Sequence, residues 1–188
     1  MNSSYNFYEL NQNGLIKDAN FIKSPNYDNR PKDKLITMIV IHSISLPPNK
    51  FGGQFIEDFF TNKLDTNYDP YFKNIKKLKV SSHFLIKRNG ELIQFVSCKD
   101  RAWHAGDSNW KNNSNCNDFS IGIELEGSNL VPFEEIQYMK LIGLLKCLCK
   151  NYSISDIVGH NQIAPGRKTD PGPLFDWNLI NAENFYGK

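Results

Sequence analysis

The chain has 188 residues, with 22 Lys and Arg against 20 Asp and Glu and a net charge of +2. One domain of that size buries a core without disulfides or a structural metal, and a near-balanced charge with no block of one sign leaves no electrostatic footprint for nucleic acid or a membrane. The N-terminus has neither a basic region nor an apolar core, no stretch reaches membrane-spanning length, and Cys98, Cys116, Cys147 and Cys149 form no CxxC pair, so free thiols in a reducing cytoplasm are expected; a monomer is a separate expectation that none of these features fixes.

Residues 1–13 are rich in Asn and Tyr without a period and read as an extension docked on a domain spanning 14–188. Ser24-Pro25 and Arg30-Pro31 restrict the residues before each proline to extended shapes, which predicts a strap over the core. Leu35 to Ile41 is an almost unbroken apolar and β-branched run, the pattern of a central strand covered on both faces, and it ends in His42. An imidazole at a strand mouth is either a satisfied structural residue or a working group held rigidly at a cleft. After the loop from Leu46 to Gly53, the residues Phe55, Ile56, Phe59 and Phe60 recur at helical spacing, and residues 61–79 read as a long loop able to rim a cleft.

Val80 to Ile86 and Glu91 to Val96 flank Asn89-Gly90, a pair that tolerates positive φ and predicts a hairpin. His83 lies in its first strand and reads as structural or as a support for a site. Trp103 and His104, beside Ala102, Ala105 and Gly106, are candidates for a flat floor under a sugar ring or peptide. From Phe119 to Glu126 the chain alternates, with Phe119, Ile121, Ile123 and Leu125 on one face and Ser120, Gly122, Glu124 and Glu126 on the other. Pro132 suits a helix first turn, and Tyr138, Leu141, Leu145, Leu148 and Tyr152 mark a long amphipathic helix. The run Ile157 to Trp177 delivers His160 from a strand end, turns at Pro165-Gly166, and carries Lys168 and Asp170 into the corner Pro171-Gly172-Pro173. Asp176 is placed to cap a closing helix from Trp177 to about Asn184.

Catalytic zinc sites commonly use three ligands drawn from His and carboxylate, and His42, His160 and Asp170 would supply such a set. A carboxylate outside the set must move a proton from water to the leaving group, for which both Glu124 and Glu126 qualify, and Lys168 could stabilise a developing oxyanion. No HExxH helix is present to mark a zinc protease of that class.

Several motifs carry a more specific signal. They include Val40-Ile41-His42, Ser24-Pro25-Asn26-Tyr27-Asp28, Val80-Ser81-Ser82-His83, Arg101-Ala102-Trp103-His104-Ala105-Gly106, Cys116 to Gly127, and Lys168-Thr169-Asp170-Pro171-Gly172-Pro173. With these the chain resembles the type-2 N-acetylmuramoyl-L-alanine amidase family from about Gly14 to Trp177, and within it the cytoplasmic branch acting on 1,6-anhydro-N-acetylmuramoyl peptides in peptidoglycan recycling. The resemblance implies an α/β fold, a single domain whose mixed central sheet is flanked by helices with a zinc groove over one sheet face. It implies Zn2+ as cofactor and an anhydromuramoyl-peptide as substrate, cleaved between the lactyl group and L-alanine. It matches His42, His160 and Asp170 to the zinc ligands, Glu124 to the residue acting on water, and Lys168 to the oxyanion stabiliser. Where the family often has Asn after the first zinc His this chain has Ser43, which joins Trp103 and His104 as a candidate for substrate contact. Related alternatives are a lytic amidase acting on polymeric peptidoglycan and a peptidoglycan-binding module without catalysis; loss of a zinc ligand would mark the latter, and none is lost.

Overall fold

The structure is a computed structural model and describes residues 8–180 and Phe185. Its strands are β1 (Asn20–Phe21), β2 (Tyr27–Asn29), β3 (Met38–Ile44), β4 (Phe84–Ile86), β5 (Leu92–Gln94), β6 (Asp100–Ala102), β7 (Asn109–Trp110), β8 (Asn113–Ser114), β9 (Ser120–Glu126) and β10 (Asp156–Gly159). The helices are α1 (Phe55–Phe60), α2 (Phe72–Ile75), α3 (Glu135–Asn151) and α4 (His160–Ile163). A six-stranded sheet in the order β1-β5-β4-β9-β3-β10 forms the centre. It is mixed: β10, β3, β9 and β4 run parallel, and the β4–β5 hairpin is antiparallel.

Alternation along β3 and β9 divides the molecule into two layers. Ile39 and Ile41 of β3 with Ile121, Ile123 and Leu125 of β9 join Leu141, Leu144, Leu145 and Leu148 of α3 in one buried cluster. The opposite sheet face is covered in two parts. Leu85 and Ile93 pack with Phe59, Phe60 and Phe72 from α1 and α2, while Met38 and Val40 pack with Val158 and Ile163. Between these two apolar patches the same face carries His42 and Glu124, and His160 meets His42 there from the first turn of α4. The predicted α/β architecture, a mixed sheet flanked by helices, is the observed one.

Several local expectations change. The central strand begins at Met38 and continues to Ile44, because β9 offers partners from Ser120 to Glu126, so His42 lies inside the ladder opposite Glu124. Leu35 is 75% exposed and outside the strand. The face of β9 carrying Glu124 and Glu126 is not open to solvent; every residue from Ser120 to Glu126 is buried. α3 starts after Pro132, since Glu134 caps it and the Gln137 side chain accepts from the Glu134 N–H, a capping box that sets the first turn. Residues 61–79 contain α2, anchored by buried Phe72 and Ile75.

The expected break after residue 13 falls within a turn: Leu10 bridges Ile16, and the Asn11 side chain accepts from the Asn13 and Leu15 N–H groups. Residues 8–13 therefore pair with the domain, while residues 1–7 lie outside the described residues. The Asp176 carboxylate caps the Asn178 N–H as expected, over a short 3-10 turn Trp177–Ile180. The rest of the predicted closing helix, 181–184, lies outside the described residues. The strap is as predicted: Ser24 Oγ donates to Phe60 O, and half-buried Arg30 donates to the carbonyls of Cys98, Asn117, Asp118 and Ser120. Among the described residues no helix is long and apolar enough to cross a membrane. All four cysteines are free.

Candidate metal centre and cleft

Three elements bring the candidate ligands together. β3 carries His42; β10 ends at Gly159 and hands His160 to the first turn of α4; and the loop after α4 folds back until Asp170 O accepts from the Asn161 N–H at 2.9 Å. Lys168 is held in the same loop by its N–H to Ala164 O at 3.0 Å. His42 Nδ1, His160 Nδ1 and Asp170 Oδ2 then lie 2.9, 3.0 and 3.1 Å from one another, although the histidines are 118 positions apart. His42 is 1% and His160 3% exposed, and a separation of 2.9 Å leaves no room for water between their Nδ1 atoms.

The chemistry of this donor set fits a metal ion. His160 Nε2 lies 3.1 Å from Ala105 O, a pure acceptor, so the proton sits on Nε2 and Nδ1 presents a lone pair. A lone pair pointed at a carboxylate oxygen at 3.0 Å, with a third nitrogen beside them, is an arrangement a cation satisfies.

The electrostatics are those of a buried polar cluster. Burial, with His160 next to it, pushes the His42 pKa down to about 4, against the pull of Asp170. Burial also works to raise the Asp170 pKa, but the contacts with His160 and His42 outweigh it and hold the carboxyl well below the usual carboxylate range. Glu124 goes the other way: burial first, then the Asp170 charge, raise it well above its ordinary value, with Lys168 pulling back. Its Oε2 is buried and has no hydrogen-bond partner among the described residues. Such an atom is costly in a folded protein and marks a place where another polar group belongs.

His42, His160, Asp170, Glu124, Lys168, Ser43 and His104 line one cleft of about 360 Å³, whose other wall is apolar and includes Phe59, Ile75 and Val80. A second, polar depression shares Ser43, Lys168 and Asp170 and adds Arg167 and Asn129. Trp103 is absent from both walls; its backbone pairs with Ser81, and its indole side faces Asp28 instead. Glu126, which sequence spacing could not separate from Glu124, is likewise outside the cleft: its carboxylate accepts from the Gly52 and Arg88 N–H groups. His104 borders the cleft but lies beneath it, only 8% exposed and 3.0 Å from His42 Nε2. His83 supports the floor, accepting from the Gly122 N–H through Nδ1 and contacting Asp100 O through Nε2.

The residues from 31 to 173 match the sequence pattern of N-acetylmuramoyl-L-alanine amidase. The chain belongs to this amidase family. Among the relatives of this amidase is the 1,6-anhydro-N-acetylmuramyl-L-alanine amidase AmpD of Haemophilus influenzae, 50% identical over 169 residues that cover 88% of this chain and 92% of that protein. The AmpD of Escherichia coli is 46% identical, covering 89% of this chain and 93% of that one. A crystal structure of a selenomethionine AmpD derivative, 46% identical, superposes with a TM-score of 0.88 over 90% of this chain and 96% of that chain. AmiD of E. coli, solved with anhydro-N-acetylmuramic acid-L-Ala-D-gamma-Glu-L-Lys as substrate, is 33% identical with a TM-score of 0.59, over 81% of this chain and 58% of that chain. The amidase fold is thereby shared along most of the chain.

Two residues that shape this site lie in stretches the motifs cover, yet neither has a role that residue type and spacing assign. Asn117, whose Oδ1 accepts from the His104 and Ala105 N–H groups at 3.1 and 2.8 Å, belongs to the motif Cys116 to Gly127, but its role depends on a segment 12 and 13 positions away. Arg167 donates to Ala105 O at 2.7 Å and backs the His160 contact from the far side of the chain.

Proposed function

We propose that the chain hydrolyses the amide between the lactyl group of 1,6-anhydro-N-acetylmuramic acid and the L-alanine of a stem peptide, with zinc as cofactor, as a cytoplasmic monomer in peptidoglycan recycling. The observation that carries this reading is the convergence of His42 Nδ1, His160 Nδ1 and Asp170 Oδ2 in one cleft with Glu124 and Lys168. Supporting it are the AmpD relatives, named for this activity, that align over most of both chains.

A zinc ion on those three atoms would supply Lewis acidity, acidifying water and polarising the amide carbonyl. The protein's own residues divide the remaining work. Glu124, with one oxygen unpartnered and a raised proton affinity, takes a proton from the attacking water and returns it to the departing alanine nitrogen. Lys168 presents its ammonium to the carbonyl oxygen as negative charge develops there. The apolar wall of Phe59, Ile75 and Val80 limits water around the reacting groups and strengthens both effects. Ser43, between the cleft and the polar depression, offers a hydroxyl to the sugar or peptide, and the short side chain leaves room beside His42.

A chromatographic assay comparing anhydromuramoyl-peptide, ordinary muramoyl-peptide and intact sacculus, each with and without chelator, tests the proposal. The expected result is chelator-sensitive cleavage of the anhydromuramoyl-peptide in preference to sacculus. Preferential release from sacculus would make the protein a lytic amidase, and binding without cleavage would make it a recognition module.

A further inference from the structure

A chain of hydrogen bonds under the cleft has only one consistent direction. Ser120 Oγ lies 2.5 Å from Cys116 O, and a carbonyl only accepts, so the Ser120 hydroxyl hydrogen is spent there. Ser120 Oγ also lies 3.3 Å from His104 Nε2 and, having no hydrogen left, accepts from it. A neutral His104 protonated on Nε2 is bare on Nδ1, which sits 3.0 Å from His42 Nε2 and therefore accepts in turn. The proton of His42 is then on Nε2.

We infer that His104 is a positioning residue for the metal centre: with Ser120 and the Cys116 carbonyl it holds the His42 proton on Nε2 and turns Nδ1, as a lone pair, towards His160 and Asp170. This rests on the reading of His42 as a metal ligand. The neighbouring residue does the same for the other imidazole, since Ala105 O accepts from His160 Nε2 at 3.1 Å. Two consecutive residues thus set the tautomers of both histidines, one through its ring and one through its carbonyl. Asn117 Oδ1, accepting from both of their N–H groups, keeps the segment in place.

The packing agrees with a purpose-built contact. His104 lies against Gly122 so closely that a Cβ there would fall 2.5 Å from its Cγ, and Ser120 is fully buried. Imidazoles that hold metals usually donate their second N–H to a carboxylate, a carbonyl or water. Here a second imidazole takes that part, passing the hydrogen-bond direction to a hydroxyl and a backbone carbonyl. The sequence motif Trp103-His104-Ala105 read as a substrate floor; the buried ring works instead from behind the ligand.

The imidazole nitrogens are read by 15N NMR on the zinc-loaded and the zinc-free protein. His42 and His104 are both expected with the proton on Nε2 in the two forms, and a proton on Nδ1 of His104 overturns the inference without any variant. In parallel, zinc affinity is measured by chelator competition. His104→Phe keeps the ring volume but loses the acceptor, and a loss of roughly 10- to 100-fold in affinity is expected. His104→Asn, whose amide oxygen can accept near the position of Nδ1, recovers part of it; Phe and Asn variants that both bind as tightly as the parent overturn the inference. If the parent itself binds no zinc, the metal reading fails, while the tautomers in the zinc-free protein still decide the hydrogen-bond direction.

Discussion

Glu124 and Glu126 project from the same face of β9, two residues apart, yet only one of them is available for chemistry. Both oxygens of Glu126 are occupied, by the Gly52 N–H at 2.5 Å and the Arg88 N–H at 3.0 Å, whereas Glu124 Oε2 has no partner among the described residues. Glu126 ties the loop that forms one wall of the cleft to the β4–β5 hairpin. Glu124→Gln is expected to lose about 10²- to 10⁴-fold in turnover with zinc content unchanged. Glu126→Ala is expected to lose about 1–3 kcal/mol of stability, because two backbone N–H groups lose the charged acceptor that the buried carboxylate gives them, and to keep a larger share of turnover per folded molecule. Turnover, metal analysis and denaturant unfolding of the two proteins decide this; the reverse pattern would exchange their roles.

The raised pKa of Glu124 has a consequence for stability. The folded state holds the Glu124 proton more tightly than the unfolded chain, so between the ordinary value of 4.5 and the higher folded value the native protein binds more protons. Stability from this group is complete below pH 4.5 and falls as pH rises through that window. In metal-free protein, Glu124→Gln is therefore expected to melt higher than the parent at neutral and alkaline pH, with the difference shrinking towards acid. Melting curves across pH in chelator measure it, and a variant less stable than the parent at pH 8 would contradict it.

His42→Ala and Asp170→Ala are expected to be purified without stoichiometric zinc, since each removes one of three converging donors. On the proposed reading zinc would bind the native arrangement and not the unfolded chain, so the parent should gain about 2.7 kcal/mol at a free metal concentration 100 times its Kd. The two variants should show no such gain. Inductively coupled plasma analysis and thermal shift with added zinc are the measurements, and full metal occupancy in either variant would mean a different ligand set.

For Lys168→Ala, the expected change is in kcat more than in KM, by about 10²- to 10³-fold, as for loss of one oxyanion donor. Steady-state kinetics on the anhydromuramoyl-peptide separates the two constants. An increase in KM with kcat unchanged would make Lys168 a binding residue only.

Gly122→Ala tests the packing between β9 and the histidine beneath it. The new Cβ would meet the His104 ring, fully buried neighbours leave little room to yield, and overpacking of this kind costs about 1–3 kcal/mol. Unfolding free energy is the direct measurement; an unchanged value would show that the ring can move aside.

Much of the fold was legible because local patterns are strong where both faces of an element are committed. The alternation of Phe119 to Glu126, the Asn89-Gly90 turn and the leucine spacing of α3 each predict an element that is present. Boundaries were less legible. β3 extends through His42 to Ile44 because β9 supplies pairing partners there, a fact of the neighbouring strand and not of residues 42–44 themselves. Trp103 and His104 were read as an exposed floor because small residues flank them. Instead Gly122 receives the His104 ring from within, and the Trp103 indole faces Asp28, outside the cleft.

By itself the sequence determined which side chains could do metal-assisted hydrolysis and which family motifs they belong to. It determined the alternation that gives β9 one apolar and one functional face, because residue type and spacing along a strand are local properties. Only the tertiary structure decided that His42, His160 and Asp170 meet within about 3 Å, that Glu124 rather than Glu126 reaches the cleft, and that His104 stands behind His42. Those outcomes depend on the register of parallel strands joined by long crossovers and on the return of the loop after α4. Neither is written in any short stretch of chain, and each is settled by burial and hydrogen-bond satisfaction across the whole sheet.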